Sequence, residues 1–93
     1  MLQMRLNHSL TSKRVVLFRN VNEKSRYYSI EINPTLFGEI LLTREYGGVK
    51  NKKPTRIIKE YFSHLEDSKK AMERLVYEKI KKGYSQKNIH QEL

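Results

Sequence analysis

The chain contains no cysteine. Disulfides, thiolate zinc sites, iron–sulfur clusters and thiol nucleophiles are excluded together, and the composition fits a reducing compartment. No apolar run approaches the ~20 residues of a membrane-spanning helix, and Met1–Leu10 lacks the apolar stretch of a secretory signal. The expectation is a soluble cytoplasmic protein without membrane association. Neither a G-x-x-x-x-G-K-S/T loop nor a G-x-G-x-x-G loop occurs, and there is no G-x-S-x-G elbow. The three histidines, His8, His64 and His90, lie in different segments with no i, i+4 pair, so no metal site is expected. No spacing among the carboxylates argues for an acid–base pair. A non-enzymatic protein without cofactor or metal is the reading. Acidic residues are also scarce: ten Asp and Glu face nineteen Lys and Arg, a net charge of +9.

What is present fits one small domain, because 93 residues fall below the usual span of two. So large a positive charge on so short a chain points to a polyanionic partner, with nucleic acid ahead of an anionic membrane surface. Four strand-like runs are expected: Arg14–Asn20, Arg26–Asn33, Glu39–Tyr46 and Thr55–Phe62. In the second, Tyr28, Ile30 and Ile32 share one face and Tyr27, Ser29 and Glu31 the other. In the fourth, Ile58, Glu60 and Phe62 oppose Ile57, Lys59 and Tyr61. This period of two marks half-buried strands. Asn22–Ser25, Asn33-Pro34 and Gly47-Gly48 read as breaks.

The period then changes. Ala71, Met72, Leu75, Val76, Lys79 and Ile80 recur at helical spacing, one stripe on a helix of about four turns. Asp67 is the expected N-cap, with Ser63 and Glu66 as a competing capping box. Gly83 sits where a left-handed residue closes a helix. The expected fold class is α+β: a small twisted antiparallel sheet of about four strands with one C-terminal helix on one face. Residues 1–13 read as a weakly ordered arm or edge strand, 14–84 as the domain and 85–93 as a polar tail.

The chemistry concentrates after the third strand. Residues 50–56 hold four cations, Lys50, Lys52, Lys53 and Arg56, and no acid. Such a loop presents charge to phosphates. Gly47 and Gly48 let a ligand approach the backbone closely, and Tyr46 offers a ring to stack on a base or sugar. Arg44 is expected to hold phosphate together with these cations. The expected nucleic-acid-binding residues are therefore Arg44, Tyr46, Gly47, Lys50, Lys52, Lys53 and Arg56. A second cationic cluster, Lys69, Lys70, Arg74, Lys79, Lys81 and Lys82, is interleaved with Glu73 and Glu78 and reads as a solvated helix face. Tyr61, Tyr77 and Tyr84 read as packing residues.

Three segments carry a family resemblance: Tyr-Tyr-Ser-Ile-Glu-Ile at 27–32, Thr-Arg-Glu-Tyr-Gly-Gly-Val at 43–49 and Glu-Lys-Ile-Lys-Lys-Gly-Tyr at 78–84. Together they resemble the WGR domain, a module of DNA-damage-dependent poly(ADP-ribose) polymerases and of bacterial proteins. The resemblance covers about Val15 to Tyr84. It implies an antiparallel sheet with one packed helix, and a nucleic-acid-binding module rather than an enzyme, with duplex DNA or DNA ends as ligand. In the polymerases the motif tryptophan packs at a DNA end and the motif arginine couples neighbouring domains. Here Tyr46 stands for the tryptophan and Gly48 for the arginine, while Gly47 matches. Interdomain signalling of the polymerase kind is therefore not expected. A protein-interaction adaptor is the alternative, docking through a sheet edge or through the arm bearing Leu2, Met4, Leu6 and Leu10. The expected assembly is a monomer, or a weak dimer through that arm.

Overall fold

A computed structural model describes residues 12–86. Most of the expected arm, with His8, and the end of the tail, with His90, lie outside the described residues. The elements follow the order β1 (Lys13–Val21), β2 (Lys24–Pro34), β3 (Ile40–Gly48), β4 (Arg56–Phe62) and α1 (Leu65–Lys81). The four strands form one antiparallel meander in chain order. The described residues thus form an α+β fold, an open sheet with one C-terminal helix on one face.

Local chemistry explains each connection. Val21 pairs with Lys24, so β1 and β2 are joined by only Asn22 and Glu23, both at positive φ (52° and 69°). Two left-handed residues make the turn whose twist matches that of paired strands, and asparagine tolerates it well. The expected break at 22–25 therefore shrinks to two residues, because the turn is tight enough for Lys24 and Ser25 to join β2. Between β2 and β3, the Thr35 amide donates to the Glu39 carbonyl (2.8 Å), and the Phe37 amide donates to the Thr35 hydroxyl (3.2 Å). Leu36 and Phe37 stand at the tip, 98% and 89% exposed.

Alternation then sorts the side chains. Leu17, Tyr28, Ile30, Ile32, Ile40 and Leu42 point to the helix side and are buried there with Met72. The helix stripe is completed by Leu65, Ser68, Leu75 and Val76. Ser68 is fully buried and satisfies its hydroxyl by donating to the Leu65 carbonyl (2.7 Å).

Several sequence expectations are corrected. β3 does not stop before Gly47-Gly48: Gly47 pairs with Tyr27 and Gly48 with Arg26, because β2 extends far enough to supply partners. The N-cap is His64, without a side-chain cap bond, and Glu66 and Asp67 occupy the first turn. There they favour the positive end of the helix dipole. The start is set by packing, since Phe62 and Leu65 on either side of the bend both join the core. Ile80 is half-exposed. At 3.6 residues per turn it lies about 80° round the helix from Met72, whereas Lys79 lies within about 20°. Tyr61 and Tyr77 are exposed rather than packed. Tyr61 falls on the sheet face away from α1, and Tyr77 points outward with the Lys81 ammonium 5.2 Å from its ring centre.

The helix end is held more firmly. Gly83 takes φ 105°, a conformation that side-chain-bearing residues rarely adopt. Its amide donates to the Ile80 carbonyl (3.0 Å) and that of Tyr84 to the Lys79 carbonyl (3.1 Å), the two bonds of a Schellman closure. The chain then returns to the sheet. Ser85 and Phe18 exchange both backbone bonds, at 2.7 and 2.8 Å, which fixes Tyr84 against the β1 end of the core.

Candidate nucleic-acid interface

The same alternation that builds the core also builds the site. Beyond Ile30 and Leu42 the helix-side positions become Tyr28 and Arg26 on β2, and Arg44, Tyr46 and Gly48 on β3. Tyr28 lies directly opposite Tyr46. Their rings stack in parallel, 3° apart in plane with centroids 5.5 Å apart. Tyr84 meets Tyr28 edge-on at 6.2 Å. Such pairs add to the stabilisation that buried area provides. Tyr28 is buried beneath these neighbours, whereas Tyr46 and Tyr84 are half-buried.

Cations gather on this aromatic floor. Lys79, on the core-facing stripe of α1, places its Nζ 4.4 Å from the Tyr28 ring centre. The Arg19 guanidinium lies 5.9 Å from that of Tyr84. An Arg44 terminal nitrogen donates to the Tyr28 hydroxyl at 3.5 Å, while Arg44 Nε is buried with no hydrogen-bond partner. An open cleft of about 340 Å³ results, walled by Arg26, Arg44 and Lys79 beside Tyr28, Tyr46 and Tyr84. None of the described residues lining it is acidic. The electrostatic strain registers on Lys79. Burial, with the Lys82 and Arg44 charges beside it, holds its ammonium below the usual lysine range, and Glu78 only partly counters this. An anionic group in the cleft would ease that crowding of positive charge.

A second cleft of about 630 Å³ adjoins the first, lined by Lys24, Ser25, Gly48, Lys50, Asn51 and others, with Arg26 common to both. The β3–β4 loop forms its wall by folding back. Val49 donates to the Ser25 carbonyl (2.8 Å), Asn51 to that of Gly48 (3.1 Å) and Thr55 to that of Tyr46 (2.8 Å). Gly47 is required for that return: a Cβ there would lie 2.8 Å from the Thr55 amide nitrogen.

The structure thus disperses the expected site residues. Arg44 and Tyr46 line the aromatic cleft, Gly47 is buried behind it, and Lys50 belongs to the second cleft. Arg56 is exposed and pairs with Tyr46 across the sheet. Lys52 and Lys53 are exposed on the loop and line neither cleft. Arg26, Tyr28, Lys79 and Asn51 were not among the site residues expected from the sequence, although Tyr28 and Lys79 were placed on core-facing positions. Their signals were the shared parity of 26 and 28 with 44 and 46 once the strands pair, and a cation, Lys79, placed on an otherwise apolar helix stripe. Among the described residues no group of three potential metal ligands occurs, and no helix is long and apolar enough to cross a membrane.

A model of the WGR domain matches residues 13–91. The chain is 35% identical over 60 residues, 64% of its length, to a Sinorhizobium fredii (strain NBRC 101917 / NGR234) protein named "Uncharacterized protein y4dW". It spans 28% of that relative's length. No solved structure matches. Strand order, the Tyr46-Gly47 strand end and the family match over nearly the whole chain agree: this protein belongs to the WGR domain family, small non-catalytic modules that bind nucleic acid in poly(ADP-ribose) polymerases.

Proposed function

We propose that this domain binds nucleic acid without catalysing a reaction, with duplex DNA or a DNA end as the preferred ligand, and that the aromatic cleft is the contact. The observation that carries this reading is the convergence of Arg26, Arg44 and Lys79 on the stacked Tyr28–Tyr46 pair with no acid among the described lining residues. Cations that neutralise phosphates release counterions, and an aromatic ring accepts a base or sugar regardless of sequence. Lys50, Lys52, Lys53 and Arg56 extend the positive surface along the loop beside it. Fluorescence anisotropy with labelled DNA, at two salt concentrations, tests the proposal. Binding that weakens with salt is expected, and Arg44→Gln with Lys79→Gln should weaken it across all sequences and flatten the salt slope. Absence of binding to any DNA or RNA at micromolar protein refutes it.

A second reading, as an adaptor for a protein partner, draws on Leu36 and Phe37. An almost fully exposed Leu-Phe pair on a chain of this charge is a natural contact for an apolar pocket. Partners captured with nuclease present, and lost on Leu36→Ser with Phe37→Ser, would favour it.

A further inference from the structure

We propose that the two clefts together hold consecutive unpaired nucleotides at a DNA end, with Arg26 gripping the phosphate between them. This rests on the nucleic-acid reading above and specifies the form of its ligand. Three observations carry it.

The first is size and shape. At about 340 and 630 Å³ both clefts fall in the range of small-ligand pockets, ~300–1,000 Å³. A base paired and stacked inside a duplex cannot enter such a recess. It must first leave the stack, which costs least where it has no partner strand.

The second is the difference in chemistry. The aromatic cleft offers rings and cations, suited to a base or sugar face and a phosphate. The neighbouring cleft offers the Asn51 amide and the Ser25 and Thr55 hydroxyls beside Lys24 and Lys50, with Glu23 the single acid among its described lining residues. Amides and hydroxyls hydrogen-bond to base edges, and a base edge is accessible only when its pairing face is free.

The third is the junction. Arg26 lines both clefts and sits directly across from Gly48. Position 48 carries no side chain, and a Cβ there would come within 2.9 Å of Asn51 Nδ2. The absence of a side chain at 48 therefore leaves the Asn51 amide in place beside Arg26. The guanidinium at the junction comes instead from β2. Its planar fork suits two oxygens of one phosphate.

The test compares three labelled DNAs of one core sequence: a blunt duplex, and the same duplex with a two-nucleotide 5′ or 3′ overhang. Anisotropy titrations should show at least one overhang duplex bound roughly tenfold more tightly than the blunt one, the effect of one stacked base. In Arg26→Gln and in Asn51→Ala the ratio of overhang to blunt affinity should fall to near one. Both positions are exposed, so both variants should melt with the parent. A parent that binds blunt and overhang duplexes equally overturns this inference while leaving the nucleic-acid reading standing. A preference retained in Arg26→Gln overturns the role of Arg26. A parent that binds none of the DNAs overturns both readings.

Discussion

Alanine at Gly47 should damage this domain, and alanine at Gly48, one residue on, should not. Neither glycine has a positive φ, so the backbone accepts a side chain at both, and each substitution gains about 0.4–1 kcal/mol by restricting the unfolded chain. The difference lies in what the new methyl meets. At Gly47 it lies 2.8 Å from the Thr55 backbone nitrogen and 3.3 Å from the Pro54 Cα. Both belong to the returning loop, which is tied to the strand by the Thr55–Tyr46 bond. Overpacking against backbone costs typically 1–3 kcal/mol, and loss of that hydrogen bond adds about 1. The net expectation is a destabilisation of about 1–3 kcal/mol. For a domain of this size that is a fall in melting temperature of roughly 5–20 °C. At Gly48 the methyl meets only the end of the Asn51 side chain, which can rotate away, so the net change should be within about 0.5 kcal/mol. Thermal melts by circular dichroism and urea titrations read both values. Amide exchange at Thr55 reads the loop directly and should quicken in Gly47→Ala alone. If the two variants melt within about 2 °C of each other, the loop is not held by the absence of a side chain at 47, and the account of that wall of the site is wrong.

Two further outcomes are expected. Met72→Ala, at the one fully apolar helix position buried in the core, should cost about 2–5 kcal/mol in urea titrations, whereas Ile80→Ala should cost under about 0.5; equal costs would place the helix in a different rotation. The Tyr27 hydroxyl donates to Glu45 Oε2 (3.0 Å), and burial followed by that carboxylate raises its pKa above 10.0. The folded state therefore keeps a proton that the unfolded chain loses. The resulting stability is complete below pH 10.0 and disappears as pH climbs through the folded-state value. Lys79, held below 10.5, contributes with the opposite sign, so the diagnostic quantity is the difference between the parent and Tyr27→Phe. That difference should shrink between pH 9 and pH 11, and a constant difference would refute the assignment.

The sequence by itself determined the type and order of the elements and most of the core-facing positions. Strand alternation at 28, 30 and 32 and the helical recurrence at 72, 75 and 76 are local patterns. Each is dictated by the need to put apolar groups on one side of a pleat or a cylinder, and burial followed those faces. The left-handed Gly83 was legible for the same reason, because no other residue type closes a helix so readily. The site was only half legible. Tyr46 and Arg44 stood out through their own strand, but the partners that make them a cleft come from elsewhere in the chain. Arg26 and Tyr28 arrive through the β2–β3 register, and Lys79 through the rotation of α1. Register and rotation are set by long-range packing, so the parity of 26 and 28 and the lysine at 79 become informative only once the partner elements are in place. A charge run such as Lys50–Arg56 is conspicuous in sequence because its members are neighbours. Only the tertiary structure could show that Lys52 and Lys53 stay on the open loop while a helix lysine 33 positions from Tyr46 lines the aromatic cleft.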